Sequence, residues 1–174
     1  MEFDINKYFP DGTYYAGDMG RATFAEKRPL YLSASKHFLN HYREEIKKLH
    51  RGGASGESVV QAVTAMSDKM IIKLFQCITG DLSNMGKSRE RLALVAIGGY
   101  GRGELNPYSD IDLMFLYKGK DSQHIEDIAQ KLLYFLWDMR LDVGYSVRTI
   151  KDCAEMAASD TTVKTALLDA RHLV

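Results

Sequence analysis

The stretch that decides the fold is Leu92-Ala93-Leu94-Val95-Ala96-Ile97-Gly98-Gly99-Tyr100-Gly101-Arg102-Gly103, followed by Asp110-Ile111-Asp112-Leu113-Met114-Phe115-Leu116-Tyr117. The first six residues are a continuous apolar run, too short for a lone helix and closed by glycine. They predict a strand buried on both faces. The second run predicts another strand. Residues i and i+2 of a strand share a face, so Asp110 and Asp112 point together while Ile111 and Leu113 turn to the core. Two adjacent carboxylates repel unless a cation lies between them. Oxygen ligands at such short spacing suit Mg²⁺, which usually takes one or two carboxylates plus substrate phosphates. Alone, the pair also reads as two solvated aspartates at a strand start. It is not alone, because Gly99 stands eleven residues before Asp110. Gly98 and Gly99 let backbone N–H groups approach a phosphate, and a short helix from near Tyr100 would aim its positive end at the same anion. In isolation these glycines would read as a tight turn.

On the N-terminal side, residues 1–21 are rich in Tyr, Gly and Asp, with a turn signal at Pro10-Asp11-Gly12. They predict an irregular arm that packs its aromatics. From about Arg28 to Leu49, residues Ala34, Phe38, Tyr42, Ile46 and Leu49 have helical spacing. Arg51 to Gly56 breaks the pattern. Val59, Val63, Met66, Met70, Leu74 and Cys77 then define a second helix, and the pair predicts an antiparallel hairpin. Gly80 to Lys87 reads as a polar loop. On the C-terminal side, Lys118 to Ser122 is a turn, Gln123 to Arg140 a helix, and Asp142 to Thr149 a third strand. Lys151 to Val174 is expected to be helical, in two pieces broken near Ser159-Asp160. The predicted division is 1–87, arm and hairpin, and 88–174, a core that carries the Gly-Gly and Asp-x-Asp elements.

Composition bounds the function classes. The chain has 174 residues, and its 23 Lys+Arg balance 23 Asp+Glu. Hydrophobic residues reach 45%, which argues against disorder, and the absent basic excess argues against a general nucleic-acid binder. A chain of this size can bury roughly 70% of its unfolded surface. No stretch approaches a membrane span, and the acidic start Met1-Glu2-Phe3-Asp4 has no secretory character. Cys77 and Cys153, far apart and outside any CxxC, read as reduced packed thiols of a cytoplasmic protein.

Rival motifs fail on their own terms. Gly99 to Glu104 lacks the last glycine of a dinucleotide fingerprint. Gly86-Lys87-Ser88 ends like a phosphate-binding P-loop, but Asp81 stands where its first glycine belongs, and the loop precedes the strand. His37 and His41 have zinc-motif spacing without the catalytic glutamate or a third ligand. Met66 and Met70 read as core, and Trp137 as a packing anchor.

The run Val95 to Leu113, containing Gly98-Gly99-Tyr100-Gly101-Arg102-Gly103-Glu104-Leu105-Asn106-Pro107-Tyr108-Ser109-Asp110-Ile111-Asp112, resembles the nucleotidyltransferase core of the PII uridylyltransferase/uridylyl-removing family. Leu136-Trp137-Asp138, Val143 to Thr149 and Leu167 to Arg171 resemble the same family, as does, more weakly, the region before residue 85. The resemblance implies an α+β, polymerase β-like fold with a small mixed sheet and an N-terminal helical hairpin. It implies an enzyme that moves UMP from UTP to a tyrosine of the PII signal protein, releasing pyrophosphate, in nitrogen regulation. Asp110 and Asp112 would hold Mg²⁺, Gly98 and Gly99 would cradle phosphates, Ser109 would orient Asp110 or touch a phosphate, and Arg102 would offset triphosphate charge. The superfamily often adds a third carboxylate. Asp142 is the candidate here, as third ligand or general base, or it simply opens its strand. Neither nucleic acid nor membrane is an expected partner.

The resemblance also implies further domains for removing UMP and sensing glutamine. This chain has no His-Asp dipeptide and is expected to be the front part of a longer enzyme. Two other readings stay open: a module that binds nucleotide without catalysis, and a transferase with another acceptor.

Overall fold

The computed structural model describes residues 1–9, 23–84, 91–119 and 122–174. The turn expected at Pro10-Asp11-Gly12 lies outside them, as do Lys120 and Asp121 and residues 85–87. The chain divides into two compact units, Met1–Lys87 and Ser88–Val174.

The first unit holds helix α1, Phe24–Arg51, and helix α2, Gly56–Asn84. α1 starts four residues before the expected Arg28, because Thr23 and Glu26 cap it reciprocally. The Thr23 hydroxyl accepts the Glu26 N–H at 3.4 Å, and the Glu26 carboxylate accepts the Thr23 N–H at 2.7 Å. Pro29, in the second turn, removes only one donor from the ladder. α1 closes with a left-handed Gly53, φ +92°, whose N–H reaches the His50 carbonyl while the Ala54 N–H reaches that of Leu49. This is a Schellman closure with glycine at its usual position. α2 runs on through Gly80 to Asn84, where a loop was expected. One glycine costs a helix about 1 kcal/mol, too little to stop propagation that adds a bond per residue.

The two apolar stripes meet as predicted. Phe38, Met70 and Leu74 are fully buried, each contributing about 1.5–3 kcal/mol of burial. The arm packs its aromatics on this hairpin. Phe3, Ile5 and Phe9 are buried, Phe3 lies edge-on to Tyr42 at 4.8 Å, and the Tyr42 hydroxyl accepts the Asp4 N–H at 3.0 Å.

The second unit is α+β. In chain order it holds β1 (Arg91–Ala96), α3 (Gly98–Gly101), β2 (Ile111–Lys118), α4 (Ser122–Asp138), β3 (Val143–Thr149), α5 (Ile150–Ser159), α6 (Thr161–Leu168) and β4 (Arg171–His172). The sheet order is β3-β2-β1-β4, with β1 antiparallel to β2 and β4, and β2 parallel to β3. The sheet is therefore small and mixed. The parallel pair is joined by α4, as parallel strands require a crossover. β1 is buried on both faces over its second half: Leu94, Val95 and Ala96 are all enclosed. One face of the sheet carries Val95 and Met114 against Cys153 of α5, with the Cys153 thiol 3.7 Å from the Met114 sulfur. Leu113 and Phe115, on the other face, are fully buried, and α4 packs on β2 and β3.

Two expectations need correction. Trp137 is not a buried anchor: it is 44% exposed and lies edge-on to the exposed Tyr134. The last residues are not helical. α6 is capped by Asp160, whose carboxylate accepts the Thr162 and Val163 N–H groups, so the expected break near Ser159-Asp160 is present. After Leu168, however, the chain extends, and His172 and Arg171 pair with Val95 and Ala96. The Leu94 N–H donates to the Val174 carbonyl at 2.8 Å. Two paired residues are too few to show strand alternation in a sequence, and what holds them lies elsewhere in the chain.

Arg171 is what fixes this end. Its guanidinium donates to the carbonyls of Gly101 (3.2 Å) and Tyr100 (3.1 Å) and lies 5.4 Å from the Tyr100 ring centroid. It thereby adds side-chain donors at the end of α3, to the Gly101 carbonyl and to the Tyr100 carbonyl that already accepts the Gly103 N–H at 3.1 Å. Replacing Arg171 by Met is expected to cost about 1.5–3 kcal/mol, the range for charged hydrogen bonds. Arg171→Lys should recover only part of it, since an ammonium lacks the planar fork. Urea unfolding measures both, and an unshifted midpoint for Arg171→Met would show that the clasp carries no stability.

Candidate active site

The site is built where β1 ends and β2 and β3 begin. The Ile97 N–H donates to the Asp112 carbonyl at 3.1 Å, and the Ile111 N–H donates to the Asp142 carbonyl at 2.9 Å. These two bonds fix the strand starts. Parallel register then sets Asp112 beside Gly144 and Met114 beside Ser146, so Asp112, Gly144 and Ser146 share one face of the sheet.

The Asp112 carboxylate is packed between two glycines. On one side is Gly98, φ +61°, where a Cβ would lie 3.3 Å from the Asp112 Oδ2. Its left-handed backbone starts α3 directly from the strand, a conformation that disfavours any side chain. On the other side a Cβ at Gly144 would collide with the Asp112 Oδ1. At Gly99 a Cβ would meet only ordinary contacts, 3.7 Å from the Glu104 carbonyl oxygen and 3.8 Å from the Arg102 Nη2. Gly98 and Gly99 form the first turn of α3, where N–H groups have no acceptor within the helix.

Asp110, just before β2, is exposed and close enough to act on Asp112. Burial first, and then the Asp110 charge, hold the Asp112 carboxyl above its usual range. Among the described residues neither side-chain carboxylate has a hydrogen-bond or ion-pair partner. One half-buried, one exposed, and both uncompensated, the two carboxylates are a hard-oxygen donor set suited to a divalent ion.

The other expected residues are placed as follows. Ser109 is exposed, next to Asp110. Arg102 is engaged by two carboxylates, Nη1 to Asp169 at 2.6 Å and Nε to Glu104 at 3.0 Å. Asp142 is exposed and lends its main chain to the β2–β3 junction. Among the described residues no three His, Cys, Asp or Glu side chains gather as a metal site, so Asp142 is not drawn into a cluster with the aspartate pair. His37 and His41 are exposed on α1, and the His41 ring contacts those of Tyr8 and Tyr42.

Three features of this end of the sheet were not singled out from the residues. The Ser146 Oγ is buried with no hydrogen-bond partner, on the Asp112 face. Tyr108 and Arg140 have positive φ, 69° and 57°. Each stands two residues before an aspartate, Asp110 and Asp142. The Ser109 N–H donates to the Asn106 carbonyl at 3.1 Å, closing a turn with Pro107 second and Tyr108 third, a type II position normally given to glycine. Asn106-Pro107 was the available signal for that turn.

The linkage sign follows from the upward shift of Asp112. A carboxyl whose folded value is raised holds its proton more tightly when folded. Its contribution is therefore intact at low pH and is lost as pH rises through the folded value. Without divalent ions, Asp112→Asn is expected to be more stable than the parent at pH 7. The gap should close as pH falls towards the ordinary carboxyl value of 3.8. Urea midpoints across that range check it; equal stability at pH 7 would contradict the ionised-pair account.

Comparison with known proteins places this layout. Residues 40–157 match the family described as "Putative nucleotidyltransferase DUF294". The chain is 37% identical over 151 residues to the bifunctional uridylyltransferase/uridylyl-removing enzyme of Caulobacter vibrioides (strain NA1000 / CB15N), covering 86% of this chain and 16% of that protein. It is 36% identical over 148 residues to the protein of the same name from Azospirillum brasilense, 84% of this chain and 16% of the relative. Against that from Ruegeria pomeroyi (strain ATCC 700808 / DSM 15171 / DSS-3) identity is 49% over 84 residues, 48% of this chain and 9% of the relative. The chain thus spans about a sixth of the first two relatives' length. The family match takes in the end of β1, the glycines of α3, the Asp-x-Asp strand and β3, and the chain belongs to this nucleotidyltransferase family.

Proposed function

We propose that this chain transfers UMP from UTP to a tyrosine of the PII signal protein, in the cytoplasm, with release of pyrophosphate. The observation that carries the reading is the Asp112 carboxylate wedged between Gly98 and Gly144, with Asp110 beside it and no ion-pair partner for either among the described residues. The relatives' name supplies the uridylyl group. UTP and the PII acceptor come from the family resemblance. No helix is long and apolar enough to cross a membrane among the described residues.

Asp110 and Asp112 would hold Mg²⁺, which when bound supplies charge neutralisation for the triphosphate and for the developing pyrophosphate. The N–H groups of Gly98 and Gly99 receive phosphate oxygens. Ser109 supports Asp110 or a phosphate. Arg102, held by Glu104 and Asp169, places its charge at the rim of the glycine segment. The acceptor's phenolic oxygen attacks the α-phosphorus, the bond to pyrophosphate breaks, and the phenolic proton leaves to a base. Asp142, exposed beside the junction, is the candidate for that base.

A second reading is a module of the same fold that binds nucleotide without turning it over. The absence of a three-carboxylate cluster among the described residues favours it. A transferase with another acceptor is the remaining variant.

Transfer of label from UTP to purified PII in the presence of Mg²⁺ separates these. The double change Asp110→Ala with Asp112→Ala is expected to abolish transfer, and undiminished labelling by it would overturn the assignment. Gly144→Ala keeps both aspartates but displaces the Asp112 carboxylate, and should cut turnover on the order of 10²-fold. UTP binding with no transfer by the parent selects the second reading, and equal use of ATP, CTP, GTP and UTP would defeat the uridylyl claim.

A further inference from the structure

Among the described residues only Tyr108 and Arg140 combine a side chain with positive φ. Both occupy positions where local geometry asks for glycine. Tyr108 is third in the Asn106–Ser109 turn. Arg140 follows α4, with its N–H on the Trp137 carbonyl at 2.8 Å and the Leu141 N–H on that of Leu136 at 3.2 Å. This is the same Schellman closure that ends α1, where the left-handed residue is Gly53. The chain therefore uses glycine for this closure in one unit and an arginine in the other.

Neither side chain repays its strained backbone with packing. Tyr108 is 92% exposed. Arg140 is exposed and has no ion-pair partner among the described residues. The two lie at the same end of the sheet, each two residues before a strand-opening aspartate, and the register pairs Ile111 with Val143 directly after those aspartates. Strain kept at paired positions beside a candidate site points to a ligand that both residues meet. An aromatic ring and a guanidinium next to a carboxylate pair match a nucleotide, the ring for a base and the guanidinium for phosphate oxygens. Two residues of chain reach at most about 7 Å, so each side chain starts close to Asp110 or Asp142.

We infer that Tyr108 and Arg140 form the nucleotide-binding rim of this site, Tyr108 stacking on the base and Arg140 pairing with phosphate oxygens. The inference rests on the nucleotidyltransferase reading above and names two of its substrate contacts.

The test uses the full chain with UTP and Mg²⁺, in the single variants Tyr108→Gly and Arg140→Gly. Each places glycine where the backbone suits it, so the melting temperature should hold or rise. The dissociation constant and KM for UTP should each rise about tenfold, the scale of one lost stacking contact, with no matching rise in the KM for PII. Tyr108→Phe should restore the parent's UTP affinity. Unchanged UTP affinity in both glycine variants, with an active parent, overturns this inference alone. A rise confined to the PII KM also overturns it, assigning the pair to the acceptor instead. A parent that neither binds UTP nor transfers label removes the underlying reading, and the rim with it.

Discussion

The contact on which the second unit depends is that between the Asp112 carboxylate and the two bare α-carbons beside it. A carboxylate next to another negative charge gains nothing from being enclosed: desolvation and the Asp110 charge both act against its ionised form. It is held there by backbone bonds at the strand start and by the lack of any side chain at Gly98 or Gly144. The enclosure is therefore a cost to the free protein. In the proposed function a bound divalent ion would offset that cost by favouring the carboxylate form. Ser146, whose hydroxyl is buried without a partner on the same face, adds a second unsatisfied group to the same region.

Topology explains why these groups converge. β1 and β2 are antiparallel, so the segment leaving β1 and the one entering β2 lie at the same end of the sheet. The α4 crossover then returns β3 parallel to β2, which puts its start at that end too. Gly98, Asp110–Asp112 and Asp142–Gly144 are thus brought together by strand direction. β4 pairs with the end of β1 and carries Arg171, which grips the carbonyls of Tyr100 and Gly101. The far end of the chain in this way braces the glycine segment that forms one wall of the site.

Much of this was legible in the residues, and the reasons are local. The apolar run before Gly98 and the alternation through Asp110 and Asp112 state two strands and their facing directions. The stripes from Ala34 to Ile46 and from Val59 to Leu74 state the hairpin. What escaped is set by long-range contacts or by caps. β4 is two residues whose pairing partners are seventy-odd positions upstream. The start of α1 depends on a reciprocal cap at Thr23 and Glu26, outside the apolar stripe. The run of α2 through Gly80 reflects helix propagation outweighing one glycine. Gly144 could be seen as a strand residue, but its contact with Asp112 follows only from the parallel register.

Zero net charge acquires a different meaning in this light. The balance of 23 basic and 23 acidic residues says nothing about a site by itself. What matters is how the balance is distributed. Glu44 with Lys47, Glu45 with Lys48, and Arg102 with Asp169 and Glu104 pair off, mostly in solvent, where such pairs contribute little stability. Asp110 and Asp112 are left without a counter-charge among the described residues, while Arg140 and an exposed Tyr108 stand at the same sheet end in strained backbone. Net neutrality fixes only the total, so it is this local pairing that leaves the two aspartates as an uncompensated acidic spot. In the proposed function that counter-charge would come with the substrate, as a divalent ion held between the aspartates and a nucleotide's phosphates.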